Sequence, residues 1–195
     1  MTSPLEPTIG TSRLELHNIG VGELLSLYRD PGAASVYDGH GYSNPLRVLI
    51  DDSGPLRWRV PQVEADPGVN KWFVRFVVLR TTRSIVGHTS FHLPPNEDGM
   101  IEIGLTLHSS YRRQGLGTEV VRGMWSWGVA QPEVAVLRYT VSPTNHASVH
   151  LVQRFGFEHV GQQIDEEDGV EDIYEMAADE FRERHAVTWQ MEALE

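Results

Sequence analysis

Cysteine is absent from this 195-residue chain, and lysine occurs once, at Lys71. Without cysteine there are no disulfides, no thiolate nucleophile and no cysteine-ligated metal, a composition that agrees with a cytoplasmic address. A second absence is a long hydrophobic run: no stretch reaches the ~18 consecutive apolar residues of a membrane-spanning helix, so no membrane partner is expected. The opening Met1-Thr2-Ser3-Pro4-Leu5-Glu6-Pro7 lacks the basic and apolar regions of a secretory signal, which again leads us to expect a cytoplasmic protein. Basic residues are scarce. Sixteen face 27 acidic ones, for a formal net charge of −11. Nucleic acid is therefore not an expected partner, because binding it nonspecifically requires a large basic footprint. The negative field would instead attract cationic substrates such as free amines. The acidic runs Asp165-Glu166-Glu167-Asp168 and Glu171-Asp172 read either as a solvated loop or as a rim that draws such substrates in.

What is present is enough for a sizeable core. Hydrophobic residues make up 40% of the chain, and residues 1–195 are expected to form one domain. Arg13–His17 alternates as an opening strand, followed by a short helix over Val21–Tyr28 introduced by Asn18 or Gly20. Residues 31–70 are punctuated by Gly and Pro, with Pro45–Ile50 and Leu56–Val63 as helical or irregular pieces that could wall a pocket. Trp72–Arg80 and Ile85–Leu93 read as a hairpin, and Met100–Leu107 as the next strand after the turn Pro94–Gly99. The pattern then predicts a helix over Thr118–Val129, whose stripe Leu116, Val120, Met124 and Trp127 is buried. A strand over Val134–Val141 follows, then a helix over Ala147–Arg154 capped by Thr144 or Asn145 and ended by Gly156. A hairpin around the acidic loop comes last. The tail 179–195 carries Phe181, Val187, Trp189, Met191 and Leu194, as a helix or an interface.

Between the strand Met100–Leu107 and the helix stands Tyr111-Arg112-Arg113-Gln114-Gly115-Leu116-Gly117. A glycine turn that feeds a helix start offers unpaired N–H groups, the positive end of the helix dipole and two arginines. Gly115 and Gly117 let the backbone approach an anion closely. The segment therefore predicts a site for a phosphate or pyrophosphate. It is not a nucleoside-triphosphate loop, because Gly117 is followed by Thr118-Glu119 rather than Lys and a hydroxyl residue. It also lacks the third glycine of a dinucleotide fingerprint, and antiparallel hairpins precede it.

Arg112-Arg113-Gln114-Gly115-Leu116-Gly117 resembles the Arg/Gln-x-x-Gly-x-Gly/Ala signature of the acetyl-CoA-dependent N-acetyltransferases of the GNAT superfamily. Asn145-His146-Ala147-Ser148 with Arg154-Phe155-Gly156-Phe157 is similar to a block of the branch that holds the ribosomal-protein N-terminal acetyltransferases RimJ and RimL. Ile101-Glu102-Ile103-Gly104-Leu105 resembles that branch's Glu-Ile-Gly-Tyr segment, with Leu105 in place of Tyr. Ser12-Arg13-Leu14-Glu15-Leu16 is a weaker echo of its start. The resemblance covers about residues 12–178. It implies an α/β (α+β) fold with a mostly antiparallel mixed sheet of about seven strands, flanked by helices and splayed between the fourth and fifth strands.

The resemblance also implies roles. Backbone N–H groups of Arg113, Gln114, Gly115, Leu116, Gly117 and Thr118 would hold the CoA pyrophosphate, with Arg112 or Arg113 beside it. The pantetheine arm would run along Leu105, Thr106 and Leu107, and the Leu105 N–H would donate to the thioester carbonyl. With no cysteine, direct transfer to a primary amine is expected, the acceptor being a peptide or protein N-terminus or a small amine. Glu102 is the candidate base, or else makes only a structural hydrogen bond. The tyrosine that commonly protonates the leaving thiolate in the superfamily is missing, since Val152 or Gln153 stands there. Ser148 is the candidate substitute, or simply packs within its helix. Asn145 is a candidate for pantetheine or water contact as well as for the cap. A non-catalytic acyl-CoA-binding module is the alternative reading, and a homodimer through the last strands and tail is a further expectation.

Other residues enter as weaker candidates. His146 and His150 have the spacing of a zinc pair, but no third ligand follows and no metal site is expected. His88, His92 and His108 are possible pocket groups. Trp58, Trp72, Trp125 and Trp127 are expected to pack, and Tyr37, Tyr42 and the segment up to Pro61 to shape acceptor choice.

Overall fold

The computed structural model describes residues 6–32, 40–167 and 169–185. Tyr37, Asp168 and the tail residues Val187, Trp189, Met191 and Leu194, all named above, lie outside the described residues. Eight strands are joined in the order β1-β2-β3-β4-β5-β6-β8-β7: β1 Ile9–Gly10, β2 Leu14–Asn18, β3 Arg75–Leu79, β4 Ser84–Phe91, β5 Met100–Leu107, β6 Val136–Val141, β7 Glu158–Asp165 and β8 Gly169–Ala177. Five helices accompany them: α1 Val21–Arg29, α2 Leu56–Ala65, α3 Leu116–Val129, α4 His146–Phe155 and α5 Ala178–His185. This is the expected mixed, mostly antiparallel sheet flanked by helices. The strand count exceeds seven by the two-residue β1, so the break expected between fourth and fifth strands falls between β5 and β6, the parallel pair.

Backbone contacts group the chain into two compact units. Of the described residues, one gathers those up to Pro94 with Gly104–Met124, and the other joins Pro95–Ile103 to those from Trp125 to His185. In the first unit, β1 to β4 pair antiparallel in chain order. Leu14 and Leu16 alternate inward along β2, and β3 is buried over Arg75–Val78. The expected strand start at Trp72 is corrected, because Pro67–Trp72 forms a 3-10 turn. Asp66 caps it, its Oδ1 accepting from Gly68 N at 2.8 Å. Pro45–Ile50 is irregular, with positive φ at Arg47 (53°) and Leu49 (61°). Leu56–Val63, expected to be helical or irregular, is helical and lies within α2, and Arg59 Nε reaches Ser90 Oγ on β4 at 3.3 Å.

In the second unit, β5 runs parallel to β6 over three residues, Met100–Glu102 beside Val136–Arg138, and β8 then pairs antiparallel with β6 and β7. Trp125 is the centre of this unit's core. Phe157 stacks on it at 4.4 Å between ring centroids, while Phe155, Tyr139 and Phe181 meet it edge-on at 5.1–6.1 Å. Such offset and edge contacts suit the ring quadrupoles and add to the area each aromatic buries. Trp72, Trp125 and Trp127 are buried as expected. Trp58 is not: it is 55% exposed, with the Arg57 guanidinium 4.9 Å over its ring. Its position on α2 lies opposite the stripe Leu56, Val60 and Val63 that packs inward.

Candidate active site

The turn between β5 and α3 begins with a single 3-10 turn, Ser109–Tyr111. Arg112 then folds back, its Nε donating to the Leu107 carbonyl at 2.8 Å, and Gln114 Nε2 donates to Ser110 O at the same distance. Arg113 (φ 57°) and Gly115 (φ 77°) both take left-handed backbone, a conformation that glycine adopts freely and arginine only at a cost of roughly 1–2 kcal/mol. Left-handed residues between right-handed or extended ones turn successive N–H groups toward one side and make an anion-binding concavity. Among the described residues, none of the N–H groups of Arg113 to Thr118 donates to an acceptor in the chain. Residues 112–115 are exposed. The donors expected from the sequence are thus available to a ligand, and the residues fit the diphosphate of CoA.

Beside this loop the structure adds a residue to which the sequence assigned no part in the site, only a place in the opening strand and in a weak echo. Arg13, just before β2, donates from Nη1 to the Gln114 carbonyl at 2.9 Å. Its Nε and its backbone N donate to the two oxygens of Glu119, at 2.7 and 2.6 Å, and the Thr11 hydroxyl donates to Glu119 Oε1 at 2.6 Å. Burial alone would raise the Glu119 pKa, but these hydrogen bonds from Thr11 and Arg13 outweigh it and hold the carboxyl below its ordinary value. Glu119 is in the first turn of α3, where a carboxylate also meets the positive end of the helix.

The same unit carries Leu105, Thr106 and Leu107 at the end of β5. Gly104, immediately before them, leaves room for a neighbour: a Cβ there would lie 2.9 Å from His92 Nε2. His88 is covered by the 49–54 segment, where a Cβ on Gly54 would stand 3.1 Å from the imidazole, and burial pushes its pKa down to about 4. His108 accepts from Ser110 N through Nδ1 at 3.4 Å and so caps the short turn. Tyr42 packs between two imidazoles, 4.9 Å from His17 and 5.3 Å from His40.

The second unit holds Glu102, Asn145 and Ser148. Glu102 Oε1 accepts a hydrogen bond from the Thr140 hydroxyl on β6. Arg138 stands directly across the ladder from Glu102, yet it is paired with Glu175, Nε to Oε1 at 2.8 Å. Asn145 caps α4, its Oδ1 accepting from Ser148 N at 3.3 Å. Burial raises the pKa of the Tyr139 phenol, and the nearby Ser148 hydroxyl acts in the opposite direction by favouring its ionised form. Sequence reasoning missed both Thr140 and Tyr139. Alternation along β6 puts Thr140 on one face and Tyr139 on the other, but alternation does not reveal what each touches. Of the acidic groups, Glu166 and Glu167 are exposed at the β7–β8 turn, while Asp172 accepts from Gln162 at 2.8 Å and Glu171 from Gln163 at 2.9 Å.

Among the described residues no group of three His, Asp or Glu side chains is placed to hold a metal ion, and no helix is long and apolar enough to cross a membrane.

Comparison with known proteins bears on the family of the chain. An uncharacterised N-acetyltransferase of Bacillus subtilis, YjdG, is 30% identical over 90 residues, which is 46% of this chain and 52% of that protein. The chain thus matches about half the length of this curated relative. The structure of the ribosomal-protein-S5-alanine acetyltransferase from Vibrio fischeri superposes with a TM-score of 0.61 at 11% identity, over 90% of this chain and 99% of that one. A chimera built on the Vibrio cholerae spermidine N-acetyltransferase gives 0.59, also at 11% identity, over 87% and 98%. A protein-acetylating and a polyamine-acetylating enzyme are equally near, so these likenesses establish the fold and favour no branch. The family model of the acetyltransferase (GNAT) domain matches residues 27–158, a span that takes in the glycine turn, Glu102 and Ser148. The chain belongs to the GNAT acetyltransferase family, whose acyl donor is acetyl-CoA.

Proposed function

We propose that this protein transfers the acetyl group of acetyl-CoA directly to a primary amine, with a peptide or protein N-terminus as the first acceptor to test and small cationic amines as the second. The observation that carries the reading is the set of unpaired N–H groups at residues 113–118. They would hold the diphosphate, Arg113 adding charge beside it, while the backbone of Leu105 to Leu107 lines up the pantetheine arm and the Leu105 N–H polarises the thioester carbonyl. Acetyl-CoA supplies an acetyl carbon bonded to a sulfur leaving group.

The remaining work falls to side chains. The acceptor must lose a proton before its nitrogen can attack, and Glu102 takes that proton directly or through a water. Thr140 supports this role by holding Oε1 and so fixing the plane of the carboxylate. Ser148 returns a proton to the departing sulfur and is replenished from the Tyr139 phenol, with Asn145 positioning the arm or a water. The resemblance of Asn145–Ser148 and Phe155–Phe157 to the ribosomal-protein branch is what puts peptide amines first. The excess of acidic residues suits any cationic acceptor. Cytoplasmic residence and a homodimer belong to the same reading.

Incubation with acetyl-CoA and a panel of N-terminal peptides, polyamines and amino-acid derivatives tests it, with release of free CoA and the acetylated product followed together. Glu102→Gln should lower turnover by about 10²–10⁴-fold and flatten the acid limb of the pH–rate profile, with CoA affinity retained. Tight CoA binding with no transfer to any amine would leave a non-catalytic acyl-CoA-binding module. Absence of binding as well would remove both readings.

A further inference from the structure

We infer that Arg13 is a positioning residue for the diphosphate cradle, an inference that rests on the reading of residues 113–118 given above. Three features of its surroundings carry it.

The first is the carbonyl of Gln114. In a loop whose N–H groups face a ligand, each carbonyl that swings inward both removes a donor and brings a negative dipole to the anion. Arg13 Nη1 takes this carbonyl at 2.9 Å, in the middle of the loop and between its two left-handed residues, Arg113 and Gly115. A charge-assisted bond is stronger than a neutral one, so the peptide between Gln114 and Gly115 is fixed before any ligand arrives. The second feature is how firmly Arg13 is itself held. Its Nε and backbone N both bond to Glu119, whose Oε1 also accepts from Thr11, so the guanidinium cannot leave the carbonyl without breaking a four-membered network. The third is electrostatic. Glu119 is in the first turn of the helix that would face the diphosphate, and its pKa is held low, so it is ionised there. Arg13 neutralises that carboxylate. Its Nη2 also stands 3.5 Å from where a Cβ on Gly115 would be, which keeps positive charge against the cradle.

Arg13 thus acts on the cofactor through the loop. It need not touch the reacting atoms, and its removal should penalise ligands in proportion to the diphosphate they carry. The discriminating measurement is kcat/KM for acetyl-CoA against kcat/KM for acetyl-pantetheine, which has the thioester and arm but no diphosphate. For Arg13→Ala the ratio of the two should fall about tenfold, with a matching rise in the Kd for CoA. Arg13→Lys keeps one donor for the Gln114 carbonyl and should fall between. The double variant Arg13→Ala with Glu119→Gln should recover part of the loss, because the uncompensated carboxylate is gone.

An unchanged ratio in Arg13→Ala, or equal losses with both acyl donors, would overturn the inference, since a general effect on folding lowers both alike. If Arg13→Ala is not folded by thermal unfolding, the Arg13→Lys ratio decides in the same way. Failure of the wild-type protein to bind CoA would instead defeat the cradle reading itself and is seen before any variant is made.

Discussion

The two helices that follow β5 and β6 begin in opposite ways. At the start of α4 the chain closes its own polar groups: Asn145 accepts from the Ser148 N–H, Asn145 N bonds to Ser142 O at 2.9 Å, and His146 N to Thr144 O at 3.0 Å. At the start of α3 the side chains instead take carbonyls and a carboxylate, through Arg112, Gln114 and Arg13, and among the described residues the N–H groups of 113–118 have no acceptor. Every helix start has such orphan donors. A cap that satisfies them contributes stability, whereas a loop that fixes everything except them keeps them for a ligand. In the first case the local sequence is Ser-Pro-Thr-Asn, rich in residues that cap through a side-chain oxygen, and in the second it is Arg-Arg-Gln-Gly, which ends at the cap position in a glycine with no side-chain acceptor.

Substitutions can break this contrast from either side. The largest effect is expected from Gly115→Val, which cannot keep φ 77° without strain and redirects the donors. The Kd for CoA measured by calorimetry should rise about a hundredfold while the free energy of unfolding falls by only the cost of a strained turn, roughly 1–2 kcal/mol. Full CoA affinity in this variant would mean the diphosphate binds elsewhere. Ser148→Ala asks whether the capped helix also does chemistry. Its N–H still bonds to Asn145, but the hydroxyl that meets Tyr139 is lost, so turnover should fall about tenfold with CoA affinity retained. A fully active variant would remove Ser148 and Tyr139 from proton transfer. The smallest effect is that of Asn145→Ala, about 1 kcal/mol of stability by chemical denaturation, with Asn145→Asp restoring it as an equally good cap. If Asn145→Asp restores stability and leaves turnover low, the amide has a role beyond the cap.

Much of this was legible from residue patterns because it is local. The glycine turn, the strand before it, the Asn145 cap and the break at Gly156 depend on a few neighbouring residues, and each lies within a residue or two of its expected place. The buried stripe Leu116, Val120, Met124 and Trp127 followed from helical period alone. What escaped are side chains whose partners are distant along the chain. Arg13 and Glu119 are 106 positions apart, and Glu102 and Thr140 are 38 apart. A strand pattern tells which face a residue occupies and leaves its partner unspecified. Trp58 misled for a related reason: a large aromatic residue is usually buried, yet α2 has enough aliphatic residues, Leu56, Val60 and Val63, to turn inward without it.

His88 gives the protein a lower limit of acidity. Its neutral imidazole is packed under the segment that contains Leu49 and Gly54, with a pKa near 4 against 6.5 for the free side chain. In that interval an unfolded chain takes up a proton that the folded one refuses, so acidification drains stability from about pH 6.5 downward and stops doing so below about pH 4, a loss of roughly 3 kcal/mol from this one ring. The free energy of unfolding measured by chemical denaturation should therefore decline as the buffer is taken from pH 6.5 to 4, and a His88→Gln variant should lose that part of the decline.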